Sequence, residues 1–215
     1  MKIRLLLIPI SVFILVGCSS IYYGAMEKIG VHKRDIMVDR VKAARDSQKE
    51  AKKQFQSALE KFQNVVKYEG GDLEREYEKL KNTLERSEAR AEEVRGRIES
   101  VEDVSEALFD EWQAEIKKYD SDELREASRE KLEATKEKYK ELIGAMKQAE
   151  SRLEPVLVPL RDQVLFLKHN LNARAVAGLS GELESVQANV DKLVSDMEKA
   201  IREADAFIAT LEEEK

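Results

Sequence analysis

The sequence predicts an all-α protein, an elongated antiparallel coiled-coil helical bundle of three to four long helices. Apolar or small residues recur at spacings of three and four, as in Leu73, Tyr77, Leu80 and Leu84, and this period is typical of packed helices. Charged residues make up 37% of the chain and aromatic residues 6%, a composition that favours long solvated helices over a compact mixed domain. No segment alternates convincingly in the manner of a half-buried strand.

Turn-forming residues divide this pattern into four helices, predicted at about 32–69, 72–119, 122–177 and 182–213. Gly70-Gly71 releases the backbone after the first helix. Asp120 with Glu123, or Ser121 as N-cap, starts the third helix. Gly178 and Gly181 with Ser180 separate the third helix from the fourth. Because each loop spans only a few residues, consecutive helices are predicted to be antiparallel neighbours.

The turns also predict which residues face each other. In two antiparallel helices, residues at equal distances before and after the connecting turn face each other. Counting in this way from the predicted turns places Phe55 opposite Ser87 in the first pair of helices and Trp112 opposite Ser128 in the second. In the third pair it places Leu160 opposite Met197. This register ends the fourth helix part-way along, leaving three helices at the Asp120 end of the bundle.

Two prolines interrupt the third predicted helix, Pro155 and Pro159. A proline inside a helix removes a hydrogen bond and usually kinks the axis. The sequence therefore predicts a kink near 155, and a complete break between two helices is an equal alternative.

The first seventeen residues have the pattern of a secretory signal. Lys2 and Arg4 form a positive start, and the apolar run from Leu5 to Val16 is short for a membrane span, which needs about 20 residues. We predict a signal peptide at 1–17, a lipidated N-terminus and tether at 18–31, and the helical bundle at 32–215.

The end of this segment, Leu15-Val16-Gly17-Cys18, resembles the lipobox of bacterial lipoproteins. The resemblance implies that Cys18 carries a diacylglycerol and becomes the acylated N-terminus. By the same resemblance, Ser19 and Ser20 in place of aspartate indicate the periplasmic face of the outer membrane. Several acyl chains, at about 0.8 kcal/mol per buried CH₂, would anchor the chain firmly.

Residues that commonly act in catalysis or bind metal ions are few in this sequence. The two histidines, His32 and His169, lack neighbours at metal-ligand spacing, so we predict no metal site, no cofactor and no enzymatic activity. The formal charge is −6, and it becomes more negative once Lys2 and Arg4 are removed. An acidic chain argues against a nucleic-acid partner, because phosphates bind basic faces.

Two groups of residues are candidate contact surfaces. Lys28, Lys33 and Arg34, with His32, form a basic cluster close to Cys18, and we consider contact with anionic headgroups beside the alternative of a plain solvated cluster. Leu165 and Phe166 widen the apolar stripe of the third helix. Cover by the fourth helix is the favoured explanation, and a partner or oligomer surface is the alternative.

The segment from Tyr22 to Phe62, YYGAMEKIGVHKRDIMVDRVKAARDSQKEAKKQFQSALEKF, resembles the opening of a bacterial family of small coiled-coil lipoproteins known as a domain of unknown function. The resemblance supports the helical fold and the envelope location, and implies no catalytic residue. The leading hypothesis is a non-enzymatic envelope lipoprotein that acts as a spacer or adaptor, bound to the membrane through Cys18 and to an envelope protein or a second copy. The alternative is a periplasmic client-binding or chaperone-like module, while an envelope hydrolase has little support.

Overall fold

The computed structural model describes residue 23, residues 30–68, residue 70 and residues 72–213. Every regular element that spans several of these residues is a helix. The helices are α1 (Lys33–Val66), α2 (Leu73–Ile116), α3 (Asp122–Ser151), α4 (Leu153–His169) and α5 (Ala173–Glu213). The prediction of an all-α bundle is confirmed.

The helices form a ring of antiparallel neighbours around one core. α1 packs against α2 and α5, while α3 and α4 together fill the remaining place between α2 and α5. We call the end of the bundle that contains the turn between α1 and α2 the first-turn end. The end that contains the turn between α2 and α3 is the second-turn end. Large side chains that are almost fully buried include Met37, Phe55, Phe62, Ile98 and Phe207.

The first two turns follow the predicted chemistry. Gly70 has a φ of +141°, a conformation that a residue with a Cβ rarely adopts, and Asp72 then caps α2 by accepting from the Arg75 backbone N–H at 3.0 Å. Gly71 lies outside the described residues. At the second turn, Ser121 is the N-cap of α3, since its hydroxyl accepts from the Leu124 N–H at 3.2 Å.

The third turn lies elsewhere than predicted. α4 ends at His169, and α5 already begins at Ala173, so the helix predicted to reach residue 177 and the turn predicted around Gly178 and Gly181 are both wrong. Asn170 ends α4, with its Nδ2 donating to the Phe166 carbonyl at 2.9 Å. Asparagine favours such turns because its side chain bonds nearby backbone.

Gly178 and Gly181, which were predicted to form the third turn, instead lie on the exposed face of α5. A glycine within a helix costs about 1 kcal/mol relative to alanine. Val176 and Leu179 are buried in this first part of α5, and burying a side chain of that size contributes about 1.5–3 kcal/mol. Packing therefore outweighs the local preference of the glycines for a turn.

The register of α5 is also different from the prediction. The predicted register puts position 205 opposite Arg152, whereas the Arg152 Nε donates to Asp196 at 3.0 Å. Likewise the ring of Tyr139 lies against Phe207, with ring centroids 6.3 Å apart. The predicted register, which pairs Leu160 with Met197, is thus displaced by nine residues at Arg152 and by eleven at Tyr139, about three helical turns.

This displacement brings α5 close to the second-turn end. Leu211 lines the same cavity as His32 and Trp112, and the Lys42 ammonium is 2.7 Å from the Glu212 carboxylate. The prediction that only three helices reach that end is therefore wrong.

The register of α1 along α2 is close to the prediction, and the register of α3 along α2 agrees with it at one pair. Gln54 of α1 donates to the Ser87 hydroxyl at 3.2 Å, beside the predicted pair Phe55 and Ser87. The Trp112 indole N–H donates to the Ser128 hydroxyl at 2.9 Å, which confirms that predicted pair.

Beyond this pair the register of α3 along α2 departs from the prediction. The Arg95 guanidinium is 2.8 Å from the Glu154 carboxylate. The predicted register instead places residue 145 opposite Arg95. The residues of α3 before Leu132 are almost all exposed, and Leu132 is the first that is buried. These charged first turns carry little apolar surface to hold them against α2.

The prolines produce a break between helices. α3 ends at Ser151 and α4 begins at Leu153, with Arg152 between them. Pro155 cannot donate to the Ser151 carbonyl, and Pro159 cannot donate to the Pro155 carbonyl, because proline has no backbone N–H. Asn189 of α5 replaces the second missing donor, since its Nδ2 lies 3.2 Å from the Pro155 oxygen.

We predict that Asn189→Ala lowers the free energy of unfolding by about 0.5–1 kcal/mol, because the Pro155 carbonyl loses its donor. In a Pro159→Ala background the loss should be smaller, since residue 159 then supplies a backbone N–H. Urea denaturation of the four proteins of this double-mutant cycle measures the coupling. Gln187→Ala, on an exposed position of the same helix, is the control, and equal losses in both backgrounds would contradict the account.

The core of the bundle includes a buried glutamine side chain. Gln48 is fully buried on α1, and both polar atoms of its carboxamide lack a hydrogen-bond partner. Burying an unpaired amide costs about 1–3 kcal/mol.

We therefore predict that Gln48→Met raises the free energy of unfolding by about 1 kcal/mol, measured by urea denaturation. Gln54→Met is the matched control on the same helix, because Gln54 donates to the Thr83 carbonyl at 3.1 Å and to Ser87. The control should lose stability. A loss in Gln48→Met as well would show that an enclosed water satisfies the Gln48 amide in solution.

Candidate functional site

The two histidines lie far apart and are both exposed. His32 precedes α1 at the second-turn end, and His169 is the last residue of α4 near the first-turn end. Across residues 30–68 and 72–213, no three histidine, cysteine, aspartate or glutamate side chains are grouped so as to hold a metal ion.

A cavity of about 240 Å³ opens at the second-turn end of the bundle. Its lining combines apolar and charged side chains: His32, Lys33, Arg34, Leu108, Glu111, Trp112, Glu115 and Leu211. Lys33 and Glu111 form an ion pair across it at 2.9 Å. The two charges of this pair offset each other.

Several ionisable groups away from this cavity have shifted pKa values. Burial raises the pKa of Tyr139, whose ring packs edge-on against Phe109 with centroids 5.4 Å apart. The hydrogen bond to Glu102 raises the pKa of the Lys147 ammonium, and the hydrogen bond from Arg45 lowers the pKa of Asp46. Each of these shifts belongs to a contact that joins helices or stabilises a helix surface.

The basic cluster predicted to contact headgroups is only partly available. The Lys33 side chain is 11% exposed and bonded to Glu111, and the Nε of Arg34 is buried. Lys28 lies outside the described residues, as does Cys18. Headgroup contact remains a prediction, and for Lys33 it requires competition with the Glu111 carboxylate.

The α4 helix presents an apolar surface to solvent. Val158, Leu165 and Phe166 are 45%, 59% and 46% exposed; together with Asp162, which lies between them along the helix, we call them the α4 face. The favoured expectation that the last helix covers Leu165 and Phe166 is wrong. The opposite side of α4 is the buried one, through Leu153, Val156, Leu157, Leu160, Val164 and Leu167.

Two further exposed apolar residues near Leu165 and Phe166, Val158 on α4 and Leu171 after it, were not predicted from the sequence. Val158 lies seven residues before Leu165 and therefore on nearly the same side of the helix, a spacing that could have identified it. Leu171, 39% exposed, follows in the turn after α4. Its exposure follows from the position of that turn, which the glycine pattern did not predict.

No described helix is both sufficiently long and sufficiently apolar to cross a membrane. A search of the curated proteins found no match, and a search of the solved structures found none either.

A family model does match the chain, over residues 22–211, and its description is "Protein of unknown function (DUF2959)". The match begins with the same Tyr22 segment that carried the resemblance, and it confirms membership of an uncharacterised family. The lipid anchor and the bacterial envelope remain predictions from the first eighteen residues. Because the match spans most of its length, the chain belongs to this family of proteins of unknown function, DUF2959.

Proposed function

We propose that the chain is a non-enzymatic, lipid-anchored envelope protein whose helical bundle acts as a spacer or adaptor. The observation that carries the proposal is the position of α1. Its first residue, Lys33, follows closely on the lipobox-like segment that ends at Cys18, so an anchor there would be attached to one end of a long rod.

The dimensions of the bundle support a spacer. α2 has 44 residues and at about 1.5 Å per residue is about 66 Å long. Since α1 starts at the second-turn end, that end would lie towards the membrane. The first-turn end would then lie about 50 Å farther away, the length of the 34 residues of α1.

The packing of the bundle supports a rigid rod. Buried apolar side chains run along the length of α1, α2 and α5 in one connected cluster. Close-packed interiors of this kind resist deformation. The α4 face lies in the part of the bundle nearer the first-turn end, where a spacer would present it away from the anchor.

We predict that the full chain cofractionates with membranes and that Cys18→Ala moves it to the soluble fraction. The physical reason is that the alanine variant cannot carry the acyl chains that hold the protein on the bilayer. Cross-linking in whole cells followed by affinity purification should recover a discrete envelope protein with the wild type and lose it in the variant. Membrane association and an identical partner in Cys18→Ala would contradict the anchored adaptor.

The exposed α4 face favours a second candidate, a client-binding or chaperone-like module. Exposed apolar patches can bind the apolar segments of unfolded proteins. In this role the chain would delay the aggregation of a denatured client protein.

For this candidate, Phe166→Ser should reduce protection several-fold, measured by light scattering of an aggregating client. Leu124→Ser is a matched control, since Leu124 is 57% exposed but lies near the second-turn end on α3. Equal protection by the wild type and both variants would exclude the α4 face as a client site.

A further inference from the structure

Two exposed apolar side chains lie at the turn between α2 and α3. The described part of the chain has six large apolar side chains that are exposed, and four of them lie on α4 or in the turn that follows it. The other two are Tyr119, which is 40% exposed, and Leu124, which is 57% exposed. We call the segment that holds both, residues 117–125, the hairpin tip. It is a second apolar surface of the bundle, and contact with another phase would remove apolar area from water there.

The hairpin tip projects beyond the start of α1. The Lys33 ammonium of α1 is 2.9 Å from the Glu111 carboxylate of α2, so these two residues lie at about the same level of the bundle. α2 continues to Ile116, five residues or about 8 Å beyond that level, before the tip begins. The tip is therefore the part of α2 and α3 that extends farthest at the second-turn end.

Hydrogen bonds hold the backbone of the hairpin tip in one conformation. Ser121 accepts from the Leu124 N–H at 3.2 Å, and the Arg125 guanidinium donates to the Tyr119 carbonyl at 2.7 Å. Arg125 also pairs with Asp122 of the same turn. The exposure of Tyr119 and Leu124 thus belongs to an ordered turn, and contact at this turn requires little further ordering of the backbone.

The hairpin tip has no net charge, unlike the chain as a whole. It carries three basic and three acidic residues: Lys117, Lys118, Arg125, Asp120, Asp122 and Glu123. The chain has a formal charge of −6, which opposes its approach to an anionic surface. The tip approaches a bilayer without a net electrostatic cost of its own, so contact there depends on the apolar side chains.

The burial of Tyr23 limits how far the bundle can move from an anchor at Cys18. Tyr23 is 5% exposed and belongs to the apolar core. It precedes Gly30 by seven residues, which span at most about 25 Å, so it lies in the half of the bundle nearer the second-turn end. Cys18 precedes Tyr23 by five residues, a span of at most about 17 Å. An anchor at Cys18 would therefore hold this half of the bundle close to the bilayer.

We propose that the hairpin tip rests on the surface of the lipid bilayer, with Tyr119 and Leu124 in the headgroup region. Tyrosine is enriched at membrane interfaces because its ring is apolar and its hydroxyl is polar. Leu124 adds apolar area that leaves water, while Lys117 and Lys118 keep their ammonium groups among the headgroups at the ends of long alkyl stems. The inference rests on the proposed function, since only an anchored chain is held against the bilayer.

The short connection to the anchor makes a small contact area sufficient. The acyl chains supply the membrane affinity, and the five residues between Cys18 and Tyr23 give the tip a high local concentration at the bilayer surface. A second point of contact beside the anchor then fixes the direction of the rod. The α4 face, in the part of the bundle nearer the first-turn end, points away from the bilayer.

The test places a fluorescent label at position 124 of the full-length lipidated chain, reconstituted into phosphatidylcholine vesicles. Leu124→Cys supplies the thiol, because acylation consumes that of Cys18. Lipids that carry a nitroxide on the headgroup should quench this label several-fold more strongly than a label on Leu165→Cys. Leu165 is the matched control, since it is 59% exposed and lies on the α4 face.

A second measurement places the label outside the contact. Gln113→Cys labels an exposed position of α2, four residues or about 6 Å before the hairpin tip. Tyr119→Ser combined with Leu124→Ser should reduce the quenching of this label several-fold, because the apolar side chains no longer hold the tip on the bilayer. Val158→Ser combined with Leu165→Ser is the matched control and should leave the quenching unchanged. Thermal unfolding followed by circular dichroism verifies that both double variants keep the fold.

Two results would overturn the proposal. One is equal quenching of the labels at positions 124 and 165, which means that the rod has no preferred direction. The other is quenching at position 113 that survives the loss of Tyr119 and Leu124, which means that these side chains do not hold the tip on the bilayer. Flotation of the vesicles distinguishes both results from a failure of the proposed function. A chain that does not float with the vesicles has no anchor, which contradicts the lipid-anchored spacer and this contact together.

Discussion

The burial of the seam of α1 between α2 and α5 is the interaction on which the rest of the structure depends. Met37, Phe55 and Phe62 are fully buried along this seam, and each contributes about 1.5–3 kcal/mol by leaving water. A helix of this length has only one apolar stripe and must bury it against neighbours. α1 does so on both sides, which fixes α2 and α5 next to it and leaves the remaining position for α3 and α4.

Charge pairs at the edges of the seam follow from this packing. Arg45 bonds to Asp205 at 2.8 Å and Lys52 to Glu198 at 3.3 Å, both between α1 and α5. Exposed pairs contribute about 0–1 kcal/mol each, so they do not hold the bundle together. They do favour this neighbour, since the basic members lie on α1 and the acidic members on α5.

The helix break at Arg152 separates α3 from α4, the helix that carries the exposed apolar surface. Pro155 and Pro159 separate α4 from α3, and Asn189 of α5 compensates for one lost backbone donor. The inner residues of the short α4 pack into the core, and its outer side carries Val158, Leu165 and Phe166 in contact with water. In the spacer that we propose, this surface would be the contact point, while the long helices supply length and rigidity.

The sequence by itself determined the helical class, the two turns at Gly70 and Ser121, and the contact between Trp112 and Ser128. These depend on local capping chemistry and on a period of three to four residues, both of which are readable along the chain. Only the tertiary structure decided where α5 begins and in which register it packs. Three helical turns take about eleven residues and return a helix to the same face, so the apolar period allows either register. The burial of Val176 and Leu179 against the core, which outweighs the turn preference of Gly178 and Gly181, selects between them.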